Sequence, residues 1–277
     1  PEILLKVSAC LSLLTTCITA LCLWRLEKPT SDVAPENKPT AADFKQTFKE
    51  VWSEPKARTF TIFVFLSMLA YSAQDLILEP FAGAIHGMSP GKTTQLSGWH
   101  HMGVLFGMLA VAGASTRWVA GRLGSVQAWM VGGCVFSAIA TVGLSSSALV
   151  NMTEAWPLKA NVIFLGIANG AFSIAAIATM MRLAGEGGPG REGTRMGLWG
   201  AAQAAAFGLG GLVGTAASDL AHALLQDSRS AYVAVFAFQS LMFLASAVVA
   251  MRMRAGDVKP SEMSLDNHVL WKGGSTS

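Results

Sequence analysis

Long apolar runs separated by short polar stretches dominate the chain. A helix needs about 20 apolar residues to cross the hydrocarbon core of a bilayer. Runs of that length predict seven transmembrane helices, at residues 3–24, 59–83, 95–115, 126–146, 158–181, 197–221 and 231–251. The composition agrees, because 13% of the residues are charged against about 25% in soluble domains. We therefore predict an all-α integral membrane protein.

The basic residues are distributed unevenly between the two sides of these predicted spans. Of the 20 Lys and Arg residues, 16 fall on the side that holds the polar loop 25–57 and the C-terminus, and 4 fall on the other side. Lys and Arg favour cytoplasmic loops. The distribution therefore predicts a multi-pass protein with a cytoplasmic C-terminus, in the inner membrane if the source is a bacterium.

One span, a long polar loop and then six spans form an uneven layout. It is typical of the second half of a twelve-span transporter, since many such folds consist of two related six-span bundles. Because residue 1 is Pro rather than Met, we expect the chain to be part of a longer protein. We predict four regions: the last span of an N-terminal bundle at 1–24, a cytoplasmic linker at 25–57, a C-terminal six-span bundle at 58–254 and a cytoplasmic tail at 255–277.

The linker contains one segment with helical periodicity, residues 40–52. Thr40 is followed by Asp43 three residues later, which is a pattern of helix N-termini. Pro55 ends the segment. Apolar residues follow at helical spacing, namely Phe44, Phe48, Val51 and Trp52. We predict a short amphipathic helix on the membrane surface, and favour a tethering role over partner binding.

Small residues predict where helices pack closely. Gly210 and Gly214 form a GxxxG pattern in the sixth span, and glycine at this spacing lets two helix backbones approach. We favour packing within the bundle over dimerisation. The four cysteines lie inside predicted spans without metal-ligand spacing, so we interpret them as apolar packing residues: Cys10, Cys17, Cys22 and Cys134.

The second span carries two acidic residues, Asp75 and Glu79. A carboxylate deep in hydrocarbon costs about 2.5–3.5 kcal/mol even on insertion scales, so it usually marks a functional site. Residues four apart share one helix face. At about 1.5 Å per residue, Asp75 lies some 22 Å from the start of the span, and Glu79 lies near the outer interface. We favour a functional role for Asp75 and expect Pro80 to disturb the last helical turn.

The third span begins with Trp99, His100 and His101, at about the depth of Asp75. The short loop between the two spans makes them neighbours, so a carboxylate and an imidazole are expected to meet. Consecutive helical residues point about 100° apart, which predicts that only one of the two histidines faces a given partner. An interhelical hydrogen bond and a ligand role both stay open for that histidine.

The chain lacks the sequence motifs of several kinds of catalytic and cofactor-binding site. The glycine-rich segment 185–193 lacks the Lys and Ser/Thr of a phosphate-binding loop, and the chain has no HExxH and no GxSxG. The last span has no Lys that could hold retinal. We expect neither an enzyme nor a nucleic-acid-binding protein.

The segment 57–83, with its core Gln74-Asp75-Leu76-Ile77-Leu78-Glu79-Pro80, is similar to the signature of the PucC/LhaA family. That family is also called the bacteriochlorophyll delivery family and is a branch of the major facilitator superfamily. The resemblance continues through 87–91, 94–98 and 103–108. The basic turn Gly121-Arg122-Leu123-Gly124 resembles the superfamily's cytoplasmic turn but lacks its acidic residue, which argues against proton coupling.

The resemblance implies a major-facilitator-type helical bundle in a photosynthetic inner (intracytoplasmic) membrane. It also implies a role in assembling light-harvesting complexes, by transiently binding bacteriochlorophyll and delivering it to antenna polypeptides among the membrane lipids. His100 or His101 would then be an axial ligand to the pigment's magnesium. Polar residues nearby would orient that histidine or bind the pigment, namely Gln74, Asp75, Glu79 and Trp99.

Two alternatives stay open at the level of sequence. The chain could belong to a proton-coupled secondary transporter of a small solute, with Asp75 and Glu79 as a coupled carboxylate pair. It could also be a purely structural subunit that packs against antenna helices.

Overall fold

Every regular element in the described part of the chain is an α-helix. The computed structural model describes residues 2–23, 41–114, 125–149, 156–186, 192–225 and 227–253. The helices in these ranges are α1 Glu2–Leu23, α2 Ala41–Ser53, α3 Pro55–His86, α4 Pro90–Ala114, α5 Val126–Leu149, α6 Leu158–Gly185, α7 Glu192–Leu225 and α8 Ser228–Arg252. Residues 25–40 of the predicted linker, which include Thr40, lie outside them, as do the turn 121–124 and the tail 255–277.

The chain divides into two compact units, residues 1–43 and 44–277. The first unit contains α1, whose described side chains are exposed and whose apolar stretch is Ala9–Cys22. The boundary falls inside α2, and the second unit contains the rest of α2 and the helices from α3 to α8. The cysteines of α1 are exposed, whereas Cys134 is fully buried in α5, so packing is confirmed for Cys134 and not for the others.

Within the described residues, five helices are long and apolar enough to cross a membrane: α3, α5, α6, α7 and α8. The chain is therefore a multi-pass helical membrane protein. The predicted spans at 3–24 and 95–115 correspond to α1 and α4, which do not meet this criterion. Lys92, Gln95 and the histidine pair make α4 more polar than its neighbours. The count of seven transmembrane helices thus stays a prediction.

The predicted amphipathic helix is present as α2. Val51 is buried, while the rings of Phe48 and Trp52 are exposed and stacked with centroids 6.5 Å apart. Pro55 follows as the first residue of α3, a position where its missing N–H costs no hydrogen bond. An apolar pair on the outer face of α2 is consistent with a helix that lies on a membrane surface.

A tight hairpin joins α3 to α4. Gly87 ends α3 in the left-handed conformation with φ 61°, and Met88 N–H donates to Ala82 O at 3.2 Å. Glycine adopts this conformation without steric cost, so α4 begins at Pro90 and runs back along α3. Pro80 lies inside α3, which continues to His86, so Pro80 does not end the helix.

Glycines set the distance between α4 and α6. A Cβ on Gly103 would lie 2.5 Å from Ile163 O, well inside van der Waals contact, and Gly107, Gly166 and Gly170 are equally enclosed by facing backbone. The GxxxG pattern in α7 packs in the same way, since a Cβ on Gly210 would lie 2.6 Å from Ser72 Cβ of α3. Packing of this pattern within the bundle is confirmed.

The core has an apolar cluster towards each end of the bundle. Phe60 and Trp199 belong to one cluster, and Phe81 and Phe236 belong to the other. Between these clusters along the helices lie buried polar side chains, namely Gln74, Ser137, Asn169 and Gln239. Buried polar groups require hydrogen-bond partners. The helices therefore have to be aligned at this level so that these side chains can reach one another.

Candidate functional site

The α3–α4 hairpin brings Asp75 beside both predicted histidines. Asp75 Oδ1 lies 3.7 Å from His100 Nδ1 and 3.9 Å from His101 Nε2. The side-chain atoms with which these three residues could bind a metal ion all lie within 4.8 Å of one another. In the described part of the chain, this is the one group of three or more such residues. Metal ligands and proton-sharing groups both require this kind of proximity.

The expectation that only one histidine faces a given partner was wrong. The two rings are edge to face with centroids 5.2 Å apart, and the carboxylate of Asp75 is within reach of both. Consecutive side chains point about 100° apart, but both can approach a group that lies between their two directions. Asp75 therefore joins one buried and one exposed imidazole, because the side chains of His100 and His101 are 0% and 56% exposed.

His101 has a defined tautomer. Its Nδ1–H donates to the carbonyl oxygen of Ser97, one turn earlier in α4, at 2.8 Å. In the neutral ring the other nitrogen, Nε2, then carries the lone pair, and this atom faces Asp75. A lone pair and a carboxylate oxygen 3.9 Å apart are both electron-pair donors, so the space between them favours a proton or a metal cation.

His100 belongs to a buried hydrogen-bond network. Ser137 Oγ–H donates to Asn169 Oδ1 at 2.7 Å, and Asn169 Nδ2 donates to Gln74 Oε1 at 2.8 Å. The same Nδ2 lies 3.3 Å from His100 Nε2. With Nε2 as acceptor, the proton of His100 is on Nδ1, directed towards Asp75. The distance of 3.7 Å is too long for a hydrogen bond.

Two atoms in this network lack a hydrogen-bond partner among the described residues, Gln74 Nε2 and His100 Nδ1. Tyr71 packs over His100 with ring centroids 6.2 Å apart and also contacts Phe207 edge to face. Buried unpaired polar atoms cost about 1–3 kcal/mol each. They are therefore expected at a functional site more than in a packed core.

The other predicted site residues lie apart from the cluster. Glu79 is half-buried one turn beyond Asp75 and contributes no atom to the cluster. Trp99 contacts α6, where Lys159 Nζ lies 3.6 Å from the centre of its ring. Gln74 reaches His100 only through Asn169.

Sequence reasoning missed the importance of Asn169. It was one of several polar residues scattered through the later spans, and one polar group per helix is ordinary packing. In the structure it bonds to α3 and α5 and contacts α4. The signal was an amide in the stretch Gly166-Ile167-Ala168-Asn169-Gly170, whose other residues are apolar or small and whose glycines allow close approach.

The chain was compared with known proteins. A family model described as PUCC protein matches residues 1–258. The bacteriochlorophyll synthase 44.5 kDa chain of Rhodobacter capsulatus is 46% identical over 250 residues, which cover 90% of this chain and 56% of that protein. Protein PucC of Rhodobacter capsulatus is 26% identical over 255 residues, covering 90% and 53%.

Protein PucC of Cereibacter sphaeroides is 27% identical over 264 residues, covering 91% of this chain and 54% of its own length. The chain thus spans about half the length of the curated relatives it matches. No solved structure matches it. Since the family match extends over nearly the whole chain, the protein belongs to the PucC family.

Proposed function

We propose that the chain is part of a membrane assembly factor for light-harvesting complexes, which binds bacteriochlorophyll and delivers it to antenna polypeptides. Family membership supports the light-harvesting role, and one relative carries bacteriochlorophyll in its name. The observation that carries the pigment-binding part is the exposed imidazole of His101, with its Nε2 lone pair free of hydrogen bonds to the helix. Hand-over makes and breaks no bond within the pigment, so the proposed role is not enzymatic.

His101 fits a magnesium-bearing pigment better than His100 does. A metal-ligating histidine usually donates its second ring N–H to a carbonyl or carboxylate, which fixes the ring, and the bond from His101 Nδ1 to Ser97 O does this. His100 is fully buried and its Nε2 is engaged by Asn169. When bound, the pigment's magnesium would supply a Lewis acid. His101 Nε2 would be its protein ligand.

The surface around His101 also suits a flat apolar ring. Gly98 lies one turn earlier on α4, and a Cβ there would meet no atom within 4 Å. Leu105 lies one turn later and is 51% exposed. Together these residues form an open apolar strip on either side of the imidazole, which would let a macrocycle approach the helix backbone.

Asp75 and His100 would act as positioning residues. Asp75 places a negative charge beside the Nε2 lone pair of His101, which favours a cationic centre at that point. His100 is held by Asn169 and faces the same carboxylate. This arrangement would keep Asp75 at the site in the absence of pigment.

A second candidate function is proton-coupled transport of a small solute. The supporting observation is that the side chains of Asp75 and His101 both reach solvent and that Asp75 Oδ1 and His101 Nε2 lie 3.9 Å apart. A small side-chain movement would bring these two atoms within hydrogen-bond distance, so that a proton could pass between them. Glu79, which the sequence pairs with Asp75, is not part of this cluster. Transport would therefore depend on a carboxylate–imidazole pair instead of two carboxylates.

The test is the absorption spectrum of the full-length protein, purified in mild detergent from pigment-producing cells. Three variants are compared: His101→Phe, His100→Phe and His222→Phe. His222 is a matched control, because its Nδ1 also hydrogen-bonds to the carbonyl four residues earlier, Ser218 O at 2.8 Å, and it lies outside the cluster.

We expect co-purifying bacteriochlorophyll to fall at least tenfold in His101→Phe, to fall less in His100→Phe and to be unchanged in His222→Phe. Retention of the pigment by His101→Phe would overturn the assignment of the ligand. A pigment-free protein that moves a solute into liposomes, with activity lost in Asp75→Asn, would favour the transporter instead.

A further inference from the structure

A second candidate site lies at the end of the bundle where α3 and α5 begin and α6 and α8 end. A cavity of about 270 Å³ opens there, close to the lower end of the ~300–1,000 Å³ typical of small-ligand pockets. The polar part of its wall includes Lys56, Arg182, Arg252 and Glu186. The site is remote from Asp75, which lies beyond the first apolar cluster along α3.

The cavity is positively charged. Among the described residues that line it, three are basic and Glu186 alone is acidic. Lys56 Nζ and Arg182 Nε each lie 4.0 Å from this carboxylate, a distance at which neither pair is tight. With Arg252, the lining residues comprise three cations and one carboxylate, which gives them a net charge of +2.

Neighbouring groups that could neutralise this charge are already paired. The carboxylate of Glu54 contacts Arg195, which is buried and also donates to Leu183 O. At the end of α8, the Gln127 side-chain amide donates to Ala250 O at 2.9 Å and to Met253 O at 2.6 Å. The carbonyl oxygens that would repel an anion therefore have donors of their own.

Two kinds of helix end meet at the cavity. Pro55 at the start of α3, and Ser125 and Val126 at the start of α5, line its wall, and helix N-termini carry a partial positive charge. Glu186 at the end of α6 and Met253 at the end of α8 line it as well, and helix C-termini carry a partial negative charge. The helix dipoles therefore largely offset one another, and the positive charge of the cavity comes from its three basic side chains.

The rest of the wall combines uncharged polar residues with Met130, Leu183 and Met253. Met130 and Leu183 are buried, whereas the three basic side chains are exposed. A site that is cationic at its rim and apolar below fits an anion attached to a hydrocarbon body. The uneven distribution of Lys and Arg predicts that this end faces the cytoplasm, where basic pockets between membrane helices bind acidic lipid headgroups. We propose that this cavity binds the phosphate group of an anionic phospholipid.

The proposal is tested with the full-length protein in zwitterionic phosphatidylcholine nanodiscs. Phosphatidylglycerol is added as the anionic lipid, and soluble inorganic phosphate is tested separately. The measured quantities are bound lipid, by native mass spectrometry, and the thermal midpoint of unfolding. The variants are Lys56→Gln, Arg182→Gln and Arg252→Gln, each at an exposed side chain, and the double variant of the two arginines.

Arg58→Gln is the matched control, because Arg58 is an exposed cation on the first turns of α3 that does not line the cavity. We expect phosphatidylglycerol to bind and to raise the midpoint in the unaltered protein and in Arg58→Gln. Its apparent affinity should fall several-fold in each single variant and at least tenfold in the double variant.

Three results would overturn the proposal. The first is binding of phosphatidylcholine as tightly as phosphatidylglycerol. The second is an equal loss in Arg58→Gln, which would mean a general surface charge effect. The third is the same stabilisation by inorganic phosphate alone, which would assign the site to a free anion. If the double variant does not fold, the single variants at exposed positions give the same comparison.

Discussion

Replacement of Gly103 by alanine tests whether glycine packing between α4 and α6 holds the candidate site together. Gly103 follows His100 by three residues and faces α6. The added Cβ would lie 2.5 Å from Ile163 O and 3.2 Å from Gly166 Cα. Neither atom belongs to a flexible side chain, so the two helices have to separate.

The required separation can be worked out from these distances. An ordinary Cβ contact begins at 3.4 Å, so the backbones must move apart by about 0.9 Å. Overpacking of this kind costs about 1–3 kcal/mol. The Asn169 Nδ2–His100 Nε2 distance of 3.3 Å would then exceed the range of a hydrogen bond. We therefore expect Gly103→Ala to lower the free energy of unfolding and to release His100.

The assay is a denaturant titration of the full-length protein in detergent, monitored by circular dichroism. Gly208→Ala in α7 is the control, because a Cβ there meets no atom within 4 Å. An unchanged midpoint for Gly103→Ala, or an equal loss in both variants, would refute the reasoning.

Three further predictions follow from other contacts. Asn169→Leu leaves Gln74 and His100 without their partner, and the same titration should show a loss of about 1–3 kcal/mol; no loss would mean that the network is incidental. Glu54→Gln leaves the buried Arg195 unpaired and should cost about 3 kcal/mol, the low end for breaking a buried pair, whereas the exposed Arg58→Gln should cost almost nothing. Gly98→Leu should leave the unfolding midpoint unchanged and reduce bound pigment, measured by absorption. Undiminished pigment binding would mean that the open strip beside His101 does not receive the pigment.

The sequence was sufficient to predict the hairpin and the depth of its polar residues. Apolar run length places Asp75 and His100 at similar distances from the loop at Gly87, and the four-residue spacing places Tyr71 on the same face of α3 as Asp75. These predictions depend only on rise per residue and on the short connection. These predictions are correct because a single short loop fixes the position of α4 next to α3.

Contacts between helices distant in sequence were not predictable in the same way. The role of Asn169 depends on the rotation of α6 against α3, α4 and α5, which no local pattern specifies. The shared carboxylate of Asp75 depends on the lateral position of α3 relative to two side chains of α4. Both arrangements follow from tertiary packing, in particular from how closely the glycines of α4 and α6 allow those helices to approach.

The most direct test of the central claim compares bacteriochlorophyll with the same pigment lacking magnesium. Each is added to the full-length protein, and retained pigment is measured by absorption after gel filtration. If His101 Nε2 is the axial ligand, the unaltered protein retains the magnesium pigment preferentially and His101→Phe loses that preference. Equal retention of the two pigments by the unaltered protein would contradict the account.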